Sequence, residues 1–434
     1  MKTNTAATSS TAASITAHED WLSHIRGLVK ADAAVNERIL SLTANENTMS
    51  RSAMELVNYS LGQRYHLGDG TGPVPTSSIG QLGELQFRAF PGVLSLEKFA
   101  RDALCEALGA ASVDFRPLSG VHAMMSTLLA LSEPGDLVLS LPPEAGGHHS
   151  TAPILLRAGR RSGYLPWNHE RQEVDIAALR QGLSEHGRPR IVFLDPSICL
   201  FPLNLRELRA VLGSEPLIAY DGSHPLGLIL GGVFQSPLEE GCDVVQGNTH
   251  KSLPGPHKAI VATKSKELGD TFRGMLSEAL VSSQHTNHSL ALYWTLLEMK
   301  TFGRAYALQV QSNAQALARA LTQRGFKLFS RNGEYTRSHM LVVTECPGVA
   351  PAEACRRLIQ CSINANSRPW AGRSILRLGV QEVTRRGMKE QHMDYLADLI
   401  ANIVEGQLDS TVLRAEVERL REDLSGIHYS FDSV

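Results

Sequence analysis

The sequence predicts an α/β protein with a mostly parallel sheet in a large domain, followed by a smaller α/β C-terminal domain. Three observations carry this. Helix-like and strand-like segments alternate along most of the chain, the strand-like ones are short Val, Ile and Leu runs with no polar face, and several of them end on a polar residue. A strand covered by helices on both sides needs no polar face, which is the situation in a parallel sheet. With 434 residues, 43% hydrophobic and 20% charged, the chain can bury cores for about two domains.

The first twenty residues, rich in Ala, Ser and Thr, bury too little apolar surface to offset the entropy of ordering them and read as a disordered tail. Residues 21–60 read as an N-terminal arm: Trp21, Leu22, Ile25, Leu28 and Val29 recur at helical spacing, and SLTANENTMSRS then breaks the pattern. The large domain is expected over 61–300. Within it a helical segment reaches Leu108, SGVHAMMSTLLALSEPGD reads as a helix closed by Pro-Gly, and LVLSL follows as a strand. RIVFLD (190–195), PLIAYD (216–221), DVVQGN (243–248) and AIVATK (259–264) continue the sheet. A long helical pattern follows Ser289, and HMLVVTE (339–345) starts a new strand, so a smaller domain is expected over 301–434.

Net charge is −2, so no basic excess draws the molecule to nucleic acid or an anionic membrane. No run approaches the roughly 18 apolar residues of a membrane helix, and the first twenty residues lack the apolar core of a secretory signal. Six cysteines without a CxxC pair fit a reduced, cytoplasmic setting with no disulfide and no metal site. Small molecules are the expected partners.

In parallel sheets ligands collect at the carboxyl ends of strands, which puts Asp195, Asp221 and the stretch Asn248 to Lys251 on one rim. Desolvation at a buried strand end disfavours the charged form of Lys251 and makes its amine a nucleophile toward aldehydes. Asp221 closes the neighbouring strand. A lysine for an aldehyde and a carboxylate for a pyridine nitrogen are the two groups that pyridoxal phosphate chemistry requires. Read alone, Lys251 is more often a solvated loop residue, and Asp221 could equally be a helix cap or turn residue. His224 and His250 could each hydrogen-bond a ligand or be structural. Ser119 and Gly120 open a helix, where free backbone N–H groups favour a phosphate, though Ser-Gly is also a common cap. Arg377, in ILRLGVQ, could clamp a carboxylate with two parallel hydrogen bonds or form an edge-strand salt bridge.

Taken in order, these segments resemble the serine hydroxymethyltransferases, fold-type-I pyridoxal phosphate transferases of the aspartate aminotransferase-like class, from about residue 40 to 400. SLTANEN resembles the family's LIASEN, RYHLG its KYAEG, AYDGSH its VDMAH, GNTHKSLPGP its TTTHKTLRGP, and ILRLGVQEVTRRG its GIRIGTPAVTTRG. The resemblance implies pyridoxal 5'-phosphate as cofactor, Lys251 as its aldehyde-binding lysine with Thr249 and His250 beside it, and Asp221 on the pyridine nitrogen. It also implies Arg377 on an amino-acid carboxylate, Ser197 near the ring oxygen, and Ser119, Gly120 and His250 around the phosphate. Asn45 falls where the family has a serine near that carboxylate. Tyr65 would reach the active site of a neighbouring subunit in a homodimer with shared sites.

The chain also departs from the family. Leu67 stands where a glutamate is associated with folate-dependent transfer, and EAGGHH replaces AHGGH, leaving Ala145 at the ring-stacking position while His148 matches the second histidine. A glycine-rich phosphate loop is replaced around SSQHTNHS (282–289). The L-threonine transaldolases of natural-product pathways share these departures together with SLTANEN, GNTHK with PGP, RLGVQ with TRRGMKE, and a terminal YSFD. The reaction implied is retro-aldol cleavage of L-threonine to acetaldehyde, then transfer of the glycyl unit to an acceptor aldehyde to give a β-hydroxy-α-amino acid. His148 is the first choice of base, with His224 or Tyr65 behind it. The alternatives are a serine or α-methylserine hydroxymethyltransferase, a threonine aldolase, or an inactive binding subunit.

Overall fold

The apolar runs become strands because their side chains alternate between two buried layers. In Ile191–Leu194, Val192 and Leu194 enter one core cluster while Ile191 and Phe193 enter another on the opposite face. The same holds for Leu217–Asp221, where Ile218 and Tyr220 face one way and Ala219 the other. Both faces are therefore dry, and no polar face is available to give a period-two pattern. The computed structural model of the chain describes residues 18–66, 78–82, 85–406 and 408–433. Most of the expected N-terminal tail, and Leu67, lie outside them.

The large sheet contains β1 (Ser112–Asp114), β2 (Leu137–Ser140), β3 (Arg161–Tyr164), β4 (Ile191–Leu194), β5 (Leu217–Asp221), β6 (Val244–Asn248) and β7 (Ala259–Thr263), in the order β1-β7-β6-β5-β4-β2-β3. Pairs β6/β5, β5/β4, β4/β2 and β2/β3 are parallel, and only β7 runs against its neighbours. The carboxyl ends of β4, β5 and β6, marked by Asp195, Asp221 and Asn248, therefore meet on one edge. The smaller sheet is antiparallel, with β8 (Lys327–Leu328), β9 (Met340–Glu345), β10 (Asn366–Trp370) and β11 (Arg373–Gly379) in the order β8-β9-β11-β10.

Three helices matter for the site. α1 (His18–Asn36) is exposed at Trp21 and from residue 23 to its end, Leu28 and Val29 included. α2 (Gly120–Leu131) starts on the Ser119 hydroxyl, which accepts the His122 N–H. α3 (Thr286–Gln323) is 38 residues long and crosses residue 300 without a break, packing on the helix Pro91–Leu108 and on β8 and β9 of the small sheet. The segment after α1, Leu40–Ser41, pairs in parallel with Ile363–Asn364, so the SLTANEN stretch is tied to the small-sheet half of the molecule.

Candidate active site

The carboxyl ends of β4, β5 and β6 and the start of α2 enclose a cavity of about 200 Å³, lined by Ser119, Gly120, His148, Ser197, Asp221, His224, His250 and Lys251 among others. Each strand stops at the cavity and delivers its polar terminal residues there. β5 delivers Asp221. β6 delivers Asn248, and the turn after it delivers His250 and Lys251.

Lys251 Nζ lies 3.2 Å from His224 Nε2. Burial pushes its amine down to about 8; Asp221 opposes this, while Arg377 and Arg368 add to it. About a tenth of the amine is thus uncharged at pH 7 and half at about 8, far more than for an ordinary lysine, as attack on an aldehyde requires. Thr249 holds the turn rather than the cavity: its hydroxyl donates to Pro256 O at 2.6 Å and accepts the Lys258 N–H at 3.2 Å. Gly255 closes the same turn by donating its N–H to Thr249 O. This is why two prolines and a glycine follow the lysine: they fold the strand end back and leave the amine inside.

Asp221 accepts the Ser223 N–H and the Gln246 side-chain amide, both at 2.9 Å. Gln246 sits opposite it in the β5/β6 register. Those bonds fix the carboxylate's orientation. Among the described residues Asn248 Oδ1, His224 Nδ1 and His250 Nδ1, all on residues that line the cavity, are buried without a partner, a concentration of orphaned polar atoms that fits a polar ligand there. A Cβ on Gly120 would sit 3.2 Å from Asn248 Cβ, so the helix start is held against the strand end with no room for a larger residue. Amine, fixed carboxylate, helix N-terminus and orphaned polar atoms together fit a phosphorylated pyridine aldehyde.

Arg377 resolves the alternative left open by its sequence. β11 is an interior strand, flanked by β9 and β10, and Arg377 forms no ion pair among the described residues. Its guanidinium donates to Asn366 Oδ1 (3.0 Å), Ser197 O (2.7 Å) and Asn45 Oδ1 (2.8 Å) through Nε, Nη1 and Nη2. Of five N–H donors this leaves one on each terminal nitrogen, the pair a carboxylate takes. Burial, then Arg368, pushes Arg377 down to about 10, so it stays charged.

His148 is held below the usual imidazole range by burial, with Asp221 opposing. Its Nδ1 accepts the Ser150 N–H at 3.3 Å, so the neutral ring carries its proton on Nε2. His250 stacks on His257 with centroids 3.8 Å apart, and burial pushes it down to about 3. His224, also held neutral by burial, stacks on His339. Tyr65 is 60% exposed and does not line this cavity. Several contributors have no motif of their own in the sequence reading: Gln246, Ser223, His339 and Arg368. Gln246 alone left a signal, as a polar residue inside the apolar run DVVQGN.

The serine hydroxymethyltransferase family profile matches residues 19–400. The chain is 38% identical over 416 residues to the fluorothreonine transaldolase of Streptantibioticus cattleyicolor, covering 95% of this chain but only 64% of that protein. It is 33% identical over 427 residues to the serine hydroxymethyltransferase of Methanopyrus kandleri, covering 96% of this chain and 93% of the other. Among solved structures, the L-threonine transaldolase from Pseudomonas fluorescens in its internal aldimine state superposes with a TM-score of 0.86 at 31% identity, over 95% of this chain and 94% of that one.

Proposed function

Because the chain belongs to the serine hydroxymethyltransferase family of fold-type-I enzymes, with pyridoxal 5'-phosphate as cofactor, we propose that it is an L-threonine transaldolase. It cleaves L-threonine to release acetaldehyde and transfers the glycyl unit to an acceptor aldehyde, giving a β-hydroxy-α-amino acid. What carries the reading is Lys251 and Asp221 on one cavity, with Arg377 bonded to the carbonyl of Ser197 in its wall, in a chain similar over 95% of its length to two transaldolases.

Bound pyridoxal phosphate supplies an electron-withdrawing ring that accepts the electron pair left when a bond at the amino acid's Cα breaks. The chain's residues do the rest. Lys251 offers an uncharged amine to the cofactor's aldehyde. Asp221, locked by Gln246 and Ser223, takes the pyridine nitrogen and keeps it protonated. Ser119, Gly120 and His250 take the phosphate, and Ser197 the ring oxygen. Thr249 contributes through the turn that holds Lys251, not by contact. Arg377, with Asn45 steadying it, fixes the substrate carboxylate and so orients the Cα–Cβ bond. His148 handles the proton of the β-hydroxyl oxygen: taking that proton gives up the long Ser150 contact, and returning it to the acceptor's oxygen restores the contact.

Leu67 in place of the family's glutamate supports transfer without folate. The enzyme works as a cytoplasmic homodimer, with Tyr65 reaching the neighbour's site; the exposed apolar side of α1 supports a second copy as its cover. Light scattering that gives the mass of one chain would remove that part of the reading. The activity test is acetaldehyde release from L-threonine by the purified enzyme with an acceptor aldehyde and no folate. Acetaldehyde and glycine without a transferred product would mark an aldolase, and serine turnover that requires tetrahydrofolate a hydroxymethyltransferase.

A further inference from the structure

Two guanidinium groups converge on Ser197. Arg377 donates to its carbonyl at 2.7 Å, and Arg368 donates through Nη1 to its hydroxyl at 2.9 Å. The convergence follows from strand register. On β10, Asn366 and Arg368 share one face, and Asn366 lies opposite Arg377 of β11. One side of this hairpin therefore presents Arg368, Asn366 and Arg377 together, and Ser197, which lines the cavity, is where they meet.

The two arginines differ in what they have left to bind. Arg377 is 4% exposed on an interior strand, and its spare donors form a pair suited to one carboxylate. Arg368 is partly buried on the edge strand, has no carboxylate within ion-pair distance among the described residues, and has spent one of five N–H donors on Ser197. Two like charges against one serine with no acid between them repel, and this arrangement is stabilised only when anionic groups arrive. Its charge is felt across the site, since it adds to the lowering of Lys251, His148 and His224. An amino-acid donor brings a single carboxylate, which Arg377 accommodates. Arg368, the less buried of the two, is left for a second anionic group.

We propose that Arg368 determines acceptor specificity and that the preferred acceptor is an aldehyde bearing a carboxylate at the end remote from its reacting carbon, a conclusion that rests on the transaldolase reading above. Binding and kinetics test it separately. In calorimetry on the holoenzyme, p-toluate, an unreactive stand-in, should bind the wild-type protein about tenfold or more tightly than Arg368→Met, as loss of a charge-assisted contact dictates. Equal affinity for both overturns the proposal. With L-threonine as donor, the wild-type KM for 4-formylbenzoate should lie below that for benzaldehyde; Arg368→Met should abolish this preference and Arg368→Lys restore part of it. A preference that survives Arg368→Met, or a rise in the threonine KM equal to that for 4-formylbenzoate, overturns it, the latter by assigning Arg368 to the donor. If no acetaldehyde is released with either acceptor, the transaldolase reading falls, while the p-toluate result still decides whether Arg368 recognises a carboxylate.

Discussion

At the scale of single residues, chemistry is set by how each polar group is held rather than by its type. Lys251 is reactive because the cavity denies its amine water, bringing it to about 8. Covalent attachment of pyridoxal phosphate to the cofactor-free chain should therefore quicken as pH rises toward about 8 and level off above it. Borohydride trapping with peptide mapping measures this, and labelling of another lysine would refute the assignment. Arg377→Lys keeps the charge but loses the fork, so the KM for threonine should rise by roughly tenfold to a hundredfold, in line with loss of one charge-assisted hydrogen bond. Lys251, Asp221 and Arg377 were legible in the sequence because each ends or interrupts an apolar run. Gln246 left only its polar interruption of DVVQGN, and His339 and Arg368 left nothing, because their roles arise from strand register and stacking between segments far apart in sequence.

At the scale of elements, the long helix α3 explains much of what sequence alone left unassigned. Glu298 on α3 pairs with Arg385 at 2.9 Å with both side chains fully buried, and Arg385 also donates to His428 O. Glu298 in turn accepts the Phe431 N–H, and Asp432 receives the N–H groups that open the helix Arg51–Val57. The TRRG and YSFD motifs thus belong to one network, buried at Glu298 and Arg385 and exposed at Asp432, that fastens the carboxyl end to the N-terminal arm. Their meaning could not be read from spacing, since the pairing partner lies 87 residues away. Glu298→Ala leaves Arg385 charged and unpaired in the interior and should cost about 3–5 kcal/mol in urea unfolding. Glu298→Met combined with Arg385→Met should cost less than the sum of the single changes.

At the scale of the whole molecule, the mostly parallel character of the large sheet was legible because both its faces are dry, while the strand order and the single reversed strand β7 were not, since β7's composition matches its parallel neighbours. Global stability should also carry the mark of one lysine. Lys258 is fully buried, donates to Gln284 O at 2.7 Å, and is pushed by burial from 10.5 down to about 7. Between those values the unfolded chain holds a proton that the folded chain lacks, so stability rises with pH there; below about 7 both states hold it and the slope vanishes. Urea melts of the wild type against Lys258→Met should show this gain, at most about 1.4 kcal/mol per pH unit, and parallel profiles would exclude it. The pairing of Leu40 with Ile363 has a consequence for birth on the ribosome. At about 5–20 residues per second, the SLTANEN stretch waits tens of seconds for its strand partner to be translated. Asn45 can steady Arg377 only after nearly the entire polypeptide has emerged, so the nascent chain has no competent substrate clamp while its lysine is already made.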